Sequence, residues 1–274
     1  MLVSIIILCK KKEEDIRGLL DDISKQKKSF DTEVIQISGI SPPGKARNDG
    51  AKQAKGEILV FMDCDIRLGS VWLLSRLIQP LRDDKEIGLS AASVRIPPDA
   101  NRFQMRYARE IPYSQVTIVH ELTDIQVAPS ACCAIYKELF FRLKGFNEDI
   151  IRGEDSVLSQ DVSGEGLRVV LAPQAFYFHP QPENLLQLAQ LNMRNGRGSC
   201  FVDTFYPDLN LDLHPKGITY FSDKKNIYQR MHRFTFAIIR ALLKGESLLF
   251  LSKLFYSLGY FHGMIKYTLL RCRN

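Results

Sequence analysis

The stretch Ala54-Lys55-Gly56-Glu57-Ile58-Leu59-Val60-Phe61-Met62-Asp63-Cys64-Asp65 decides how this chain is read. Its first residues close a helix-like segment, Gly44 to Gly56, whose small residues Ala46, Gly50, Ala51 and Ala54 permit close packing on a sheet. The apolar run from Ile58 then suits a buried strand. Side chains alternate in extended chain, so Asp63 and Asp65, at i and i+2, point the same way from the strand's carboxyl end. Two convergent carboxylates at that edge suit a hard divalent cation and the phosphates it bridges.

The neighbouring segments supply the rest of a sheet. Leu2 to Leu8 reads as a first core strand, with no basic leader or cleavage site, so no signal peptide is expected. Ile16, Leu19, Leu20 and Ile23 recur at helical spacing, and Val34 to Ile37 is a second strand. This β-α-β-α-β order predicts a mostly parallel sheet with nucleotide at its carboxyl edge. A helix over 70–81, a strand over 87–94 and a strand over 131–136 follow. Residues 97–127 read as a long loop with a helix near 102–109, of the size that closes over sites. A short helix over 137–143, a helix over 154–164 and two short strands, 169–171 and 175–178, complete the pattern before a largely helical C-terminal part.

Gly44-Lys45-Ala46-Arg47-Asn48-Asp49-Gly50, followed by the stretch quoted first, resembles the donor half of family-2 glycosyltransferases of the GT-A fold. Lys144-Gly145-Phe146-Asn147-Glu148-Asp149-Ile150-Ile151-Arg152-Gly153-Glu154-Asp155 resembles their acceptor half, continued by Leu158, Pro173 and Phe178-His179-Pro180. The resemblance implies a Rossmann-like α/β domain over 1–222, its donor half about 1–96 and its acceptor half about 97–200. It also implies metal-dependent, inverting transfer of one sugar from a nucleotide-sugar donor to a hydroxyl on a glycan or lipid-linked acceptor.

Such a displacement needs a base for the acceptor hydroxyl and positive charge for the departing nucleoside diphosphate. By resemblance Asp155 is the base, and Glu154 positions it or the acceptor. Asp65 holds Mn²⁺ or Mg²⁺, and Asp63 contacts the ribose or the metal. His179 is either a further metal ligand or a plain strand-end histidine. Arg47 and Asn48 approach the nucleotide or secure their helix. Arg194 and Arg197 flank Gly196 in what reads as a break in a helical stretch: a mobile loop offering guanidinium groups to a diphosphate, or a solvated helix end.

Departures from the family narrow the expectation. The first strand leads into Cys9-Lys10-Lys11 rather than Pro-Asn, and the second ends Ser38-Gly39-Ile40-Ser41 rather than in an acidic turn. The nucleobase contact stays unassigned. No Gln-x-x-Arg-Trp motif of processive synthases occurs, which favours single-sugar transfer. A nucleotidyltransferase would want a Gly-containing loop after the first strand, and Lys10 to Glu14 has none. A haloacid-dehalogenase-type phosphatase would want Thr or Val where Arg67 stands. A non-catalytic sugar-nucleotide or membrane-binding module is the remaining alternative, and the retained Asp63, Asp65 and Asp155 argue against it.

The 274 residues are 45% apolar with a net charge of +6, enough for a large domain and an appendage. Residues 224–274 hold ten Lys or Arg and one acid, Glu246, so this tail carries +9 and the preceding 223 residues −3. The basic tail, 223–274, has two apolar helical faces: Phe234, Ala237, Ile238, Ala241 and Leu242, then Leu251, Leu254, Phe255, Leu258, Phe261 and Ile265. Charges interrupt both, so neither is expected to span a bilayer. An apolar face rimmed by Lys and Arg suits an anionic membrane surface, which places the protein in the cytoplasm, peripheral on the inner leaflet; the alternative is a helical cap. No nucleic-acid partner is expected. The six cysteines, without C-x-x-C or zinc-type spacing, read as reduced thiols of a cytosolic protein.

Overall fold

The computed structural model describes residues 1–11, 13–112, 114–209 and 227–271. In chain order its elements are β1 (Leu2–Cys9), α1 (Arg17–Ser24), β2 (Asp31–Ser38), α2 (Pro43–Gln53), β3 (Ile58–Asp63), β4 (Arg67–Leu68), α3 (Leu73–Asp83) and β5 (Ile87–Arg95). Then follow α4 (Arg102–Glu110), β6 (Thr123–Asp124), β7 (Cys132–Tyr136), α5 (Lys137–Arg142), α6 (Glu154–Gly164), β8 (Arg168–Phe178), α7 (Leu185–Phe205), α8 (Ile227–Leu243) and α9 (Ser247–Arg271). These elements form two compact units. The first gathers Met1–Arg95 and Val116–Pro180; the second gathers the described parts of Ile96–Gln115, Gln181–Asp212 and Ser222–Asn274. The units do not follow the expected boundary at 222/223: residues 96–115 and 181–209 join the tail helices. The stretch 97–127 is therefore no single loop, since α4 belongs to one unit and β6 to the other.

The first unit is built on one sheet of order β2-β1-β3-β7-β5-β8-β4, with β6 paired to β8. β2, β1, β3, β5 and β8 run one way, and β4, β6 and β7 run against them. Strand alternation sorts the core onto two faces. Val3, Ile5, Ile7, Ile58, Val60 and Met62 pack with Leu19 of α1 and Leu77 of α3. Ile6, Leu59 and Phe61 pack on the other face with Ala46 and Ala51 of α2, Phe140 of α5 and Leu158 of α6.

Two irregularities position the carboxyl edge. The sequence predicts two short strands around Pro173; the structure has one, β8, in which a bulge absorbs the proline. Ala91 pairs with Leu171 but Ser93 with Phe176, so five residue steps on β8 oppose two on β5, and Gln174 takes φ 55°. The two-residue β4 pairs Arg67 with Phe178 and Leu68 with Tyr177, which carries the turn after β3 to the end of β8. Asp22 of α1 anchors β4 by accepting from Arg67 Nε (2.7 Å), Arg67 Nη2 (2.8 Å) and the Leu68 N–H (3.0 Å).

In the second unit α7 is one continuous helix through Gly196 and Gly198, which corrects the expected loop at Arg194 and Arg197. The glycines serve packing instead. A Cβ on Gly196 would lie 2.0 Å from the Tyr256 carbonyl oxygen of α9, and one on Gly259 would lie 2.2 Å from the Met193 carbonyl oxygen of α7. The two backbones thus approach closer than any side chain allows. Tyr260 Oη donates to Asp203 Oδ2 (2.9 Å) across the same pair. At its start, α9 is fixed by Glu110 of α4, whose buried carboxylate accepts from the Leu248 N–H at 2.7 Å, as suits an acid at a helix N-terminus.

The tail departs from expectation in one respect. Ser247–Thr268 of α9 is long and apolar enough, by length and composition, to cross a membrane. Of the three charges expected to interrupt the tail, Arg240 and Lys244 lie before α9 and Lys253 lies within it. Of the tail, residues 223–226 and 272–274 lie outside the described residues. Because backbone atoms, not flexible side-chain tips, face Gly259, Gly259→Ala is expected to lower unfolding free energy by about 1–3 kcal/mol, measured by chemical denaturation; an unchanged midpoint would contradict this packing.

Candidate active site

Asp63, the last residue of β3, follows Leu59 and Phe61 on the α2 face of the sheet. There it meets Arg47 from the middle of α2. Arg47 is 3% exposed; its Nη2 donates to Asp63 Oδ1 (2.8 Å) and its Nη1 to Glu154 Oε1 (3.0 Å). Its guanidinium lies 5.4 Å from the Phe146 ring centroid. Burial alone would lower the Arg47 pKa, but the charges of Asp63 and Glu154 outweigh it and raise it. Arg47 Nε has no hydrogen-bond partner among the described residues.

Asn48, the next residue, is equally turned into the protein. Its amide donates to the Phe146 carbonyl (2.8 Å) and to Glu148 Oε1 (2.9 Å), and its Oδ1 accepts from the Phe146 N–H (2.9 Å). This clamp needs Gly145 at φ 74°, where a Cβ would sit 2.6 Å from Asn48 Oδ1. Phe61, Phe140 and Phe146 stack beneath it with centroids 5.0–5.6 Å apart. The polar atoms of Asn48 thus fasten α2 to the 145–148 turn, which leads to α6.

Glu154 and Asp155 open α6 after Gly153, which adopts φ 86°. Their place in the first turn sets negative charge against the helix's positive end. Asp155 keeps a partial opening to solvent, yet its dense surroundings push its pKa up to about 6, helped by the Glu154 charge and opposed by the Ser156 N–H, Arg47 and Arg152. A carboxylate with that pKa is a usable base near neutrality.

Asp65 sits in the turn after β3, and β4 brings it to His179 at the end of β8. Asp65 Oδ1 lies 3.6 Å from His179 Nε2. His179 Nδ1 is 2.9 Å from the Pro180 carbonyl. A carbonyl only accepts, so Nδ1 carries a proton, and the neutral imidazole with that tautomer would present its Nε2 lone pair. Ligand atoms of Asp63, Asp65 and His179 all lie within 4.8 Å of one another. The Asp65 side chain is about half exposed, yet its dense surroundings, then the nearby Asp63 charge, raise its pKa against the opposing effect of His179. An oxygen, oxygen and imidazole set of this kind fits a divalent ion such as Mn²⁺ or Mg²⁺. The structure therefore brings together Asp63, Asp65 and His179, and separately Asp63, Arg47 and Glu154, with Asp63 common to both. Arg194 and Arg197 lie three residues apart on α7 of the second unit.

Residues 41–143 match the family described as glycosyl transferase family 2. This segment belongs to that family. It contains Arg47, Asn48, Asp63 and Asp65 and ends before Glu154, Asp155 and His179. The match covers 103 of the 274 residues and supports a glycosyltransferase over the nucleotidyltransferase, phosphatase and non-catalytic alternatives. No curated protein matches the chain. Among solved structures it is similar to the mannosyltransferase PcManGT of Pyrobaculum calidifontis in complex with GDP-Man and Mn²⁺, at 14% identity and TM-score 0.60, over 95% of this chain and 86% of that one. It is also similar to S. aureus TarS 1–349 in complex with UDP, at 14% identity and TM-score 0.50, over 96% and 92%. At such identity the likeness establishes the fold, which is GT-A with C-terminal helices.

Removing one member of a buried ion triad strands the others. Arg47→Met is expected to cost about 3–5 kcal/mol in denaturant unfolding, and Arg47→Lys to recover only part, because one ammonium lacks the fork that spans two carboxylates. A neutral Arg47→Met would show that the triad does not hold the edge together.

Proposed function

We propose that this glycosyltransferase moves a single sugar from a nucleoside diphosphate sugar to an acceptor hydroxyl in one metal-dependent, inverting displacement. The observation that carries the reading is the convergence of Asp63, Asp65 and His179 with an Arg47 bridge to the helix that bears Asp155. Asp65 and His179, with Asp63 in reach, would hold a divalent ion, Mn²⁺ or Mg²⁺, which would supply positive charge for the departing diphosphate. Asp155 takes the proton of the acceptor hydroxyl as it attacks the anomeric carbon from the side opposite the leaving group. Glu154, pinned by Arg47, fixes the first turn of α6 and keeps Asp155 basic. Arg47 and Asn48 act as positioning residues. The Mn²⁺ and GDP-Man of PcManGT support the metal and donor class.

Asp65→Ala is expected to abolish Mn²⁺-dependent binding of a sugar nucleotide in calorimetry, whereas Asp155→Asn keeps donor affinity and loses about 10² or more in turnover. Donor binding that is equally tight without metal would sink the metal assignment. Because Asp155 must be ionised to act and its pKa is about 6, kcat/KM should fall below that pH. A rate flat down to pH 5 would remove Asp155 as the base.

The acceptor reading is a lipid-linked or cell-envelope glycan met at the cytoplasmic face of a membrane. Leu254, Leu258, Phe261 and Ile265 form one exposed row on α9, at spacings of four, three and four, with Lys266 exposed beside it. Each basic group near an anionic surface adds about 1 kcal/mol. Full-length protein should co-sediment with vesicles containing anionic lipid, and Leu258→Asp with Phe261→Asp should stay in the supernatant. Equal sedimentation of both proteins would refute this surface.

A further inference from the structure

Strand alternation places Cys64 on the sheet face opposite Asp63, among the side chains of β1, α1 and α3. There it meets Cys9, 55 residues earlier, because the Cys64 N–H donates to the Leu8 carbonyl (3.0 Å) and extends the β1–β3 ladder by one residue. Glu14, in the segment between β1 and α1, completes the group. Cys64 Sγ donates to Glu14 Oε2 at 3.0 Å, and ligand atoms of Cys9, Glu14 and Cys64 all lie within 4.8 Å of one another. The Lys10 N–H (2.6 Å) also donates to Glu14 Oε2, and the Gln36 side-chain amide donates to Cys9 Sγ (3.4 Å). Cys9 is buried; Cys64 and Glu14 are partly exposed, which leaves a way in from solvent. Both cysteines are free thiols.

We propose that Cys9, Cys64 and Glu14 form a second cation site, distinct from the Asp63–Asp65–His179 group, that takes a thiophilic divalent ion such as Zn²⁺. Two sulfurs and one carboxylate oxygen are the ligands such an ion prefers, with a fourth, open position for water. On binding, each thiol releases its proton to solvent as its metal–sulfur bond forms, and Glu14 exchanges the Cys64 hydrogen bond for the metal. The Gln36 and Lys10 N–H donors act as outer partners that hold the sulfur and carboxylate in place. The two sites sort ions by softness: oxygens and imidazole on one face, thiolates on the other. An ion here staples the segment after β1 to the turn between Asp63 and Asp65. This is independent of the glycosyltransfer reading, since neither thiol takes part in the displacement.

The test uses full-length protein, reduced with a phosphine, and Co²⁺ as the probe. One Co²⁺ per chain should produce thiolate-to-metal charge-transfer absorption, which Zn²⁺ then abolishes by displacement. Asp65→Ala should keep the band, because its site holds no sulfur, whereas Cys9→Ser and Cys64→Ser should each weaken or lose it. Glu14→Gln leaves both thiols in place and should keep the band while requiring more Co²⁺ to reach it. As a readout that needs no variant, Zn²⁺ should slow alkylation of Cys9 and Cys64, located by peptide mass spectrometry. A wild-type protein with no charge-transfer band would overturn the proposal. So would a band that survives both cysteine substitutions, or unchanged alkylation of both thiols with Zn²⁺ present.

Discussion

The guanidinium of Arg47 is the constraint on which the carboxyl edge depends. A buried cation is costly unless its charge is matched, and here the match comes from two residues far apart in sequence, Asp63 and Glu154. One fork therefore sets the distance between the strand that carries Asp63 and the helix that carries Glu154 and Asp155. Neither carboxylate could be turned inward without it, and Arg47 could not be buried without both. The aromatic floor of Phe61, Phe140 and Phe146 gives this polar bridge a dry, rigid bed, in which electrostatic contacts are stronger than in water.

The same edge carries two chemistries because a strand has two sides. Asp63 faces Arg47 of α2; its neighbour Cys64 faces β1 and α1. A one-residue change of register at the end of β3 would exchange them. The ladder bond from Cys64 to Leu8 fixes that register up to the last residue before the turn, which is why the carboxylate and thiol groups stay segregated although they adjoin in sequence.

Much of the fold was legible in the sequence, because apolar periodicity and glycine punctuation mark each large element between β1 and α6. The carboxylates of the site were legible too, as residues at strand and helix ends. What the sequence hid were consequences of tertiary contact. Arg47 and Asn48 carry polar groups that suit a ligand as well as a protein partner, and only the fold shows them bonded to Asp63, Glu154 and the 145–148 turn. Gly196 reads as a helix breaker until α9 is placed against it; close backbone approach, not flexibility, explains it. The tail's charges look like interruptions along the chain, whereas α9, a helix of 25 residues, holds only Lys253, Lys266 and its terminal Arg271. Cys9 and Cys64 match no spacing rule, since strand pairing rather than sequence distance joins them.

The bulge in β8 works as a ruler. Between Leu171 and Phe176 the strand takes up three more residue steps than β5 opposite it. Drawn out straight, those three steps would carry the downstream end about 10 Å further along, and an odd count would also invert which face each later side chain addresses. His179 would then pass Asp65 on the wrong side of the sheet. Chain length, stored as slack around Pro173 and Gln174, decides whether imidazole and carboxylate meet. Insertions or deletions there would act on the meeting of Asp65 and His179 from a distance while leaving both side chains unchanged.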